Sequence, residues 1–330
     1  MRSLLQTTAA QLAAGIPLAE EAALALASLP LPLLPELFVL ASQVREQRFG
    51  RQVSLCAIVN AKSGRCPENC AFCAQSAHHQ TDAPRYPLMD EDALVAGAHA
   101  AAACGASCYG IVTSGSGIRG GAELDRLCRA IRRIREAGEI APGASLGSLD
   151  AAAVQALKAA GLVTYHHNLE TSRSFFPQIC TTHPYEDDVA TVRLARQAGL
   201  RVCCGGLFGL GETMAHRVEL ALTLRELQVD AVPMNFLDPV PGTPLFGCNR
   251  LTPLECLHTV ALFRLLLPAT PLIICGGREK NLRELQSWLF LAGASGMMTG
   301  NYLTKEGRQP EEDRRLIADL GLTVAEELLP

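Results

Sequence analysis

Three cysteines, Cys66, Cys70 and Cys73, follow one another with the spacing CxxxCxxC. Thiolate is the standard ligand of iron–sulfur clusters, and three thiolates can hold three irons of a cubane cluster. The run has no fourth cysteine, so the pattern predicts a cluster with one iron open to a small molecule. Structural zinc needs four closed ligands, and His78 or His79 could supply the fourth. A zinc site therefore stays open as an alternative.

The whole chain contains 13 cysteines. In a reducing compartment, clustered cysteines indicate metal or redox chemistry rather than disulfides. Cysteines that are scattered over helix-like or loop segments are instead expected to be buried as small hydrophobic residues. This expectation applies to Cys128, Cys180, Cys248 and Cys256.

The composition limits the class of protein. The 330 residues include 29 Lys and Arg against 33 Asp and Glu, a net charge of −4, and 48% are hydrophobic. This near balance argues against a nucleic-acid partner, and the apolar content argues against disorder. The most apolar stretch, residues 24–41, is interrupted by three prolines. We therefore expect no membrane span, no signal segment and a cytoplasmic protein.

Apolar runs alternate with amphipathic segments after an Ala/Leu-rich N-terminal region. Strand-like runs lie near residues 53–59, 107–113, 142–147, 162–167, 200–206, 231–236, 271–275 and 296–302. Helical patterns lie between them, so we predict an α/β fold, a parallel (β/α)₈ TIM-type barrel with an N-terminal helical extension. A doubly wound open sheet is the alternative. The predicted division is a helical segment at 1–45 and a barrel domain at 46–330.

Residues at the predicted helix ends support this reading. Asp150 and Thr252 are candidate N-caps, because their side-chain oxygens can accept from free backbone N–H groups. Glycine closes several helical patterns just before an apolar run, as expected where a helix ends in a left-handed residue. These glycines are Gly138, Gly161, Gly199 and Gly293. In such a barrel the cysteine run, which follows the first strand, would lie at the catalytic, carboxyl end.

The segment from Ala61 to Ala77, with the aromatic Phe72 before the last cysteine, resembles the radical S-adenosylmethionine (SAM) superfamily, and within it the biotin synthases. Five further segments resemble that family in the same order along the chain. They are His167–Ser172, Gly206–Thr213, Asn235–Leu237 with Gly242–Leu245, Gly276–Glu279 and Asn301–Thr304. The resemblance runs from about residue 45 to the C-terminus.

The resemblance implies that one sulfur atom is inserted between two unactivated carbons of dethiobiotin. Neither carbon is acidic or electrophilic, so no catalytic side chain is expected beyond the radical that the cofactor generates. The implied cofactors are a [4Fe-4S] cluster, SAM and an auxiliary iron–sulfur cluster that donates the sulfur. The implied partners are a low-potential electron donor such as flavodoxin or ferredoxin, and a second copy in a homodimer.

Residue by residue, the resemblance assigns Cys66, Cys70 and Cys73 to the cluster that binds SAM. It assigns contacts to SAM and to substrate as well. The SAM contacts are Phe72, Gly115, Asn168 and Glu170, and the substrate contact is Asn235. His166 stands where the family commonly has Asn; it is a further substrate candidate, and a core histidine with satisfied hydrogen bonds is the alternative. A local turn built by Asn168 and Thr171 is the alternative reading of that segment. Asn235 suits a ureido ring because an amide both donates and accepts.

Asp188 departs from the family pattern. The family has an arginine there that pairs with the SAM carboxylate, and a carboxylate cannot take that role. Another cation must bind the SAM carboxylate, or SAM must lie differently. The candidates are Arg119 and Arg278.

The auxiliary cluster departs as well. The family uses three cysteines and one arginine for a [2Fe-2S] cluster, and the aligned positions here are Gly110, Gly143, Cys203 and Ile273. Cys108 precedes the first of these by two residues, and Cys275 follows the last by two. Side chains on a strand alternate with period two, so both cysteines keep the ligand face.

We therefore predict that Cys108, Cys203 and Cys275 hold the auxiliary cluster, with Cys56, Cys104 and Cys204 in reserve. Three thiolates suit a four-iron cluster whose open iron could carry an extra sulfide. The alternative is that these cysteines are small core residues.

Two other functions stay open at this point. Another radical SAM enzyme, such as a hydrogenase-cofactor maturase or a methylornithine synthase, would share the triplet and the barrel. A non-catalytic iron–sulfur or zinc protein would share only the triplet.

Overall fold

The central sheet consists almost entirely of parallel strands. In the computed structural model, residues 2–248 and 251–330 are described. The strands are β1 (Gln52–Lys62), β2 (Cys108–Thr113), β3 (Gly117–Ile118), β4 (Ala141–Ser145), β5 (Ser148–Leu149), β6 (Thr164–His166), β7 (Arg201–Cys203), β8 (Gly206–Phe208), β9 (Val232–Phe236), β10 (Leu272–Ile274), β11 (Gly296–Met298) and β12 (Thr323–Val324).

The strand order shows that the sheet closes. Neighbours pair in the order β7, β6, β4, β2, β1, β11, β10, β9, β8. β7 and β8 are consecutive parts of one segment, interrupted at Cys204 and Gly205. Since β7 pairs with β6 and β8 pairs with β9, this segment joins the two edges. The predicted parallel barrel is confirmed, and the open doubly wound sheet is wrong.

A glycine is required where that segment bends. A Cβ atom on Gly205 would lie 2.0 Å from the carbonyl oxygen of Pro233 in the neighbouring strand. No side chain fits at that separation, so the close approach of the two backbones depends on glycine. The bend allows one chain segment to pair with β6 through its first half and with β9 through its second.

The helices surround the barrel and precede it. They are α1 (Arg2–Ala13), α2 (Glu20–Ala27), α3 (Leu34–Phe49), α4 (Glu91–Ala103), α5 (Ala122–Ala137), α6 (Ala151–Ala159), α7 (Tyr185–Gln197), α8 (Met214–Glu226), α9 (Pro253–Leu266), α10 (Arg278–Leu282), α11 (Trp288–Leu291) and α12 (Pro310–Asp319). The helical segment between β10 and β11 is divided into α10, a 3₁₀ turn (Arg283–Leu285) and α11.

The predicted helix ends are present. The Asp150 carboxylate accepts from the Ala153 N–H at 2.8 Å, and the Thr252 hydroxyl accepts from the Glu255 N–H at 3.2 Å. All four predicted terminal glycines have positive φ angles, as a left-handed helix terminus requires. They are Gly138 (72°), Gly161 (95°), Gly199 (76°) and Gly293 (104°).

The N-terminal helices share the hydrophobic core of the barrel. Leu26 of α2 and Leu37 of α3 belong to the same contiguous buried cluster as the barrel strands. Two buried arginines reinforce this contact: Arg45 of α3 donates to the Ala294 carbonyl at 2.9 Å, and the guanidinium of Arg264 in α9 lies 4.9 Å from the ring centroid of Phe49 in α3. α3 continues to Phe49, and the division at residue 45 stays a prediction.

Within residues 2–248 and 251–330, no single helix is long and apolar enough to cross a membrane. α2 together with the segment 31–49 meets the length and composition only as a pair bent by 108°.

Candidate active site

The CxxxCxxC cysteines lie in a loop directly after β1. The Cys66 N–H donates to the Gln75 carbonyl at 3.0 Å, and the Cys66 carbonyl accepts from the Ala77 N–H at 2.7 Å. The Cys73 N–H donates to the Cys70 carbonyl at 2.9 Å. These backbone bonds fold the loop onto itself and bring three half-buried thiols together.

The surroundings of these thiols fit an iron–sulfur cluster. Burial, with the nearby Cys66 and Glu170, raises the pKa of Cys73 to about 11. A hydrogen bond with Cys180 and burial raise the pKa of Cys70 as well. Such thiols stay protonated at neutral pH until a metal displaces the protons, and coordination to iron does this.

The two loop histidines bind backbone carbonyls. His78 Nε2 lies 2.9 Å from the Pro67 carbonyl oxygen, and His79 Nδ1 lies 2.9 Å from that of Cys73. Both imidazoles therefore hold the loop in place, and this role accounts for them without a zinc ion.

Cys180 is a neighbour that sequence reasoning missed. It is buried, as expected, but its Sγ lies 3.8 Å from Sγ of Cys70. The adjacent polar run of Thr181 and Thr182 binds Asn69 of the cysteine loop, with 2.7 Å between Asn69 Nδ2 and the Thr181 hydroxyl. That polar run was the sequence signal for a contact with the loop. Of the other scattered cysteines, Cys248 is exposed, so the expectation that it is buried was wrong.

Position 188 joins two histidines next to this loop. Asp188 Oδ1 lies 2.9 Å from His167 Nε2, and Asp188 Oδ2 lies 3.2 Å from His183 Nε2. His183 Nδ1 in turn lies 2.7 Å from Glu68 Oε2. Burial acts to raise the pKa of Asp188, but the hydrogen bonds from both histidines outweigh it and lower the pKa. Asp188 is therefore a charged partner of histidines.

Arg278, one candidate cation for the SAM carboxylate, is engaged elsewhere. It is fully buried and donates to both oxygens of Asp313, at 2.8 and 2.7 Å, and to Gln286 at 2.7 Å. This ion pair holds the start of α10 against α12, so Arg278 is wrong as a candidate. Arg119 is exposed in the loop after β3 and stays a candidate.

The polar residues after β6 lie where the strand ends at the barrel mouth. Asn168 Oδ1 accepts from the Gly205 N–H at 3.2 Å. Glu170 has a positive φ of 62°, a strained conformation for a non-glycine residue, and its carbonyl accepts from the Leu207 N–H at 2.8 Å. Burial and the nearby Asp188 raise the pKa of Glu170 to about 7. The structure thus holds a half-buried carboxyl group, on a residue with a strained backbone, beside the cysteine loop.

Phe72 and Gly115 flank the same mouth. Phe72 packs against an apolar cluster of Ile179, Leu210 and Leu237. Gly115 follows β2 with a φ of 132°, a conformation that side chains rarely adopt. The apolar cluster limits water next to the cysteine loop, and the glycine leaves its backbone open to a ligand.

Four thiols line the interior of the barrel. Cys56 of β1 is paired in register with Cys108 of β2, and neighbouring residues in parallel strands point to the same side. Cys275, directly after β10, lies close to Cys56 and donates from Sγ to the Ile273 carbonyl at 3.4 Å, and Cys203 of β7 lies close to both Cys56 and Cys108. Cys108, Cys203 and Cys275 are buried without joining any hydrophobic cluster among the described residues, whereas Cys204 joins the main core.

These thiols are held neutral by their surroundings. Burial and the neighbouring Cys56 raise the pKa of Cys108 to about 12. Burial also raises the pKa of Cys203, and the neighbouring Cys56 thiol together with burial raises the pKa of Cys275. A group of thiols that avoids the packed core and cannot ionise alone has the donor set of an iron–sulfur cluster.

His166 lies beside one of these thiols. Its Nε2 is 3.9 Å from Sγ of Cys108, and a Cβ on Gly143 would lie 2.5 Å from the same nitrogen. Burial, with the charge of Arg201, lowers the pKa of His166 to about 4, so the imidazole is neutral at pH 7. Glycine at 143 thus makes room for the imidazole.

Asn235 has both ends of its amide in use. Its Oδ1 accepts from the Gly276 N–H at 3.0 Å, and its Nδ2 donates weakly to the Gly206 carbonyl at 3.4 Å. Along β9 half-buried residues alternate with buried ones, and Asn235 is one of the half-buried residues. This alternation indicates that its side chain is on the lumen face. A ligand with paired donors and acceptors can replace the longer of these bonds.

Two family models match the chain. The Radical SAM superfamily matches residues 61–224, and the Biotin and Thiamin Synthesis associated domain matches residues 233–323. The methylornithine synthase structure has a TM-score of 0.82 with 19% identity and covers 96% of this chain and 97% of its own. The hydrogenase maturase HydG also has a TM-score of 0.82, with 17% identity, and covers 99% of this chain and 75% of its own. At such identities these two structures show the fold alone.

The barrel, the cysteine loop and the superfamily match define the chain as a radical SAM enzyme. A biotin synthase from Trichlorobacter lovleyi is 68% identical over 325 residues, 98% of each chain. A biotin synthase from Geobacter sulfurreducens is 65% identical over 288 residues, 87% of this chain and 88% of the relative. The chain therefore belongs to the biotin synthase family. The alternatives of another radical SAM enzyme or of a non-catalytic protein are not favoured.

Proposed function

We propose that this chain converts dethiobiotin to biotin with two iron–sulfur clusters held in one barrel. The observation that carries the proposal is the presence of two separate sets of cysteines. Three lie in the loop after β1, and four others lie inside the same barrel. The first set leaves one iron of a cubane open, as SAM binding requires, and the second provides a site for the sulfur donor.

At the mouth, Cys66, Cys70 and Cys73 hold the [4Fe-4S] cluster. When bound, the cluster and SAM would supply 5′-deoxyadenosyl radicals, one for each hydrogen atom removed from the two unactivated carbons, with the electrons coming from the low-potential electron donor. Asn168 and Glu170 orient the ribose, Phe72 contributes to the apolar wall, and Gly115 offers its backbone to the amino acid end of SAM. The chain's own task is to position these groups and exclude water.

Asn235 binds the ureido ring of dethiobiotin. Its amide can accept from a ring N–H and donate to the ring carbonyl, and its partner bonds to Gly276 and Gly206 fix its orientation. His166, a neutral imidazole in the lumen, lies on β6, which is separated from β9 and Asn235 by the single 201–208 segment. Its contact with Cys108 also places it next to the sulfur donor.

The auxiliary cluster is bound by Cys108, Cys203 and Cys275, with Cys56 as a fourth thiol. Three thiols had favoured a four-iron cluster with one open iron. With Cys56 as a fourth ligand the number of thiols no longer decides between the forms, because four thiolates can fully ligate either a two-iron or a four-iron cluster. Gly143 makes room for the His166 imidazole and so favours neither form, and we keep the four-iron form as the prediction that iron content tests. The cluster's part in the reaction is to supply the inserted sulfur.

Iron content tests the auxiliary site. Replacing Cys66, Cys70 and Cys73 together with Ala removes the ligands of the first cluster and keeps the four lumen thiols, and the protein is then reconstituted anaerobically with iron and sulfide. About four irons per chain with a cubane-type spectrum are expected, and about two would indicate the two-iron form. No bound iron would contradict an auxiliary cluster.

A matched pair of variants tests Cys56 in that background. Cys56→Ala should lose most of the remaining iron. Cys204→Ala should retain it, because Cys204 is the same residue type but packs in the hydrophobic core. Equal iron content in the two variants would remove Cys56 from the ligand set.

The reaction itself is tested with the intact protein. After reconstitution and reduction, dethiobiotin and SAM should yield biotin and 5′-deoxyadenosine, measured by mass spectrometry. SAM cleavage without biotin would instead support another radical SAM reaction on this scaffold.

The cellular setting completes the proposal. A flavodoxin or ferredoxin reduces the cluster, and the protein acts as a cytoplasmic homodimer. Support for the dimer is a set of large apolar side chains exposed on α3 and α11: Val39 is 58% exposed, Trp288 40% and Leu291 44%. Sedimentation of the wild type and of Trp288→Asp tests this, and a monomeric wild type would contradict it.

A further inference from the structure

Two lysines share one carboxylate at the rim of the barrel. Lys280 Nζ lies 2.6 Å from Asp238 Oδ1, and Lys305 Nζ contacts the other oxygen, Oδ2. Asp238 follows β9, Lys280 lies in α10, and Lys305 lies in the loop after β11. Three consecutive strand ends therefore meet here. Two ammonium groups on one carboxylate leave an excess of one positive charge.

The neighbouring charges do not remove this excess. Glu279, next to Lys280, accepts from the Tyr302 hydroxyl at 2.9 and 3.1 Å and lies 3.6 Å from Arg278. Among the ion pairs of the described residues, each of the two lysines pairs with Asp238. Both lysine side chains are accessible, at 53% and 39% of their surface. An anion from solution can reach them.

The lysine pair lies at a fixed distance from Asn235. Asp238 is three residues further along the chain, which corresponds to about 10 Å in extended backbone. α10 is tied to the same segment, because the Gly276 N–H donates to Asn235 Oδ1 at 3.0 Å and Asn281 Nδ2 donates to the Leu237 carbonyl at 3.0 Å. The amide and the two ammonium groups are therefore parts of one rigid rim.

Dethiobiotin has a polar group for each of these two sites, one at either end of the molecule. Its ureido ring is joined by a chain of methylene groups to a carboxylate, and the extended chain spans roughly 8 Å at about 1.5 Å per carbon–carbon bond. We propose that Lys280 and Lys305 bind the substrate carboxylate while Asn235 binds the ureido ring. This inference rests on the proposed function. With substrate bound, two ammonium groups face two carboxylates, and the charges balance.

The test compares dethiobiotin with its methyl ester, which has the same shape and no charge. Binding to the reconstituted protein with SAM is measured anaerobically by calorimetry. The wild type should prefer the acid. Lys280→Met or Lys305→Met should each reduce that preference by roughly 1.5-fold to fivefold, the range for partly exposed charge pairs, and leave ester affinity unchanged. Lys158→Met, an exposed lysine on α6, is the control and should change neither affinity.

Asp238→Asn should change the affinity for dethiobiotin in the opposite direction. Removing the competing carboxylate frees both lysines, so acid affinity should rise while ester affinity stays constant. If the cluster only holds the loops in place, this variant should weaken both ligands alike.

The outcomes separate the two proposals. An acid preference that survives both lysine substitutions, or equal weakening of both ligands in Asp238→Asn, overturns the carboxylate site and leaves the proposed function standing. A wild type that binds neither the acid nor the ester overturns both.

Discussion

Cys70 shows how much a single neighbour changes the interpretation of a residue. Cys70→Ala removes one of three cluster ligands, so SAM cleavage should be abolished with or without dethiobiotin. Production of 5′-deoxyadenosine, followed by chromatography, measures this. Because the Cys180 thiol lies 3.8 Å away, Cys70→Ala/Cys180→Ala is the stricter variant. Normal cleavage by the double variant would contradict the assignment of this loop, and Cys248→Ala, at an exposed cysteine, should behave as wild type.

Asn235 can be tested by truncation. Asn235→Ala leaves ureido groups of the buried substrate unpaired, which costs roughly 1–3 kcal/mol. Dethiobiotin should therefore bind roughly 5- to 150-fold more weakly, while SAM affinity stays constant. Calorimetry of both ligands measures the difference. Unchanged dethiobiotin affinity would place the ureido ring elsewhere.

His166 predicts a pH dependence of stability. Burial lowers its pKa from 6.5 to about 4, so the folded chain keeps the imidazole neutral where the unfolded chain takes a proton. The free energy of unfolding should therefore be unaffected by His166 above pH 6.5 and should decrease as the pH falls toward 4, by up to roughly 3 kcal/mol. Urea unfolding of the apoprotein between these pH values measures the loss. His166→Gln should show a smaller decrease, and an identical decrease would contradict the shifted pKa.

At the scale of one element, α6 illustrates a local rule. Asp150→Ala removes the side chain that accepts from the Ala153 N–H at 2.8 Å, which should cost about 0.5–2 kcal/mol of unfolding free energy. Urea denaturation measures this cost. Asp150→Asn keeps an accepting oxygen and should lie near wild type. Equal losses in both variants would show that charge, rather than the cap, matters here.

The positions of the lumen thiols also follow in part from a local rule, the alternation of side chains along a strand. Alternation along a strand places Cys108 on the face of Gly110, and the parallel register sets Cys108 beside Cys56. Period two follows from the backbone, and it predicts which face a residue occupies. The register between two strands is not encoded in either strand alone, and for this reason Cys56 could only be named as a reserve.

For the whole molecule, the ion pair between Arg278 and Asp313 joins β10's end to the C-terminal helix. Both side chains are fully buried. Asp313→Ala removes the fully buried partner of the guanidinium and leaves only the half-buried Glu279 at 3.6 Å, so the loss should approach the roughly 3–5 kcal/mol of a broken buried pair. Chemical denaturation measures the loss. The control is Asp92→Ala, whose pair with Arg133 is largely exposed and should cost less than about 1 kcal/mol. Similar losses for the two variants would contradict the role of burial.

The sequence by itself determined the alternation of strands and helices, the caps at Asp150 and Thr252, and the terminal glycines. Each of these depends on residues a few positions apart, whose geometry the local backbone dictates. The cysteine run belongs to the same class, because a loop of eight residues can gather its own three thiols. The family resemblance then supplied the reaction.

Only the tertiary structure decided which distant residues meet. Closure of the barrel through the 201–208 segment brings Cys203 opposite Cys56, and packing of the loop before α7 brings Cys180 to Cys70. Two sets of ion pairs could not be predicted from the sequence either. They are the pair of Arg278 with Asp313, and the pairs of Lys280 and Lys305 with Asp238. Such contacts join residues far apart in sequence, and their geometry follows from how strands order and helices pack, which no local pattern specifies.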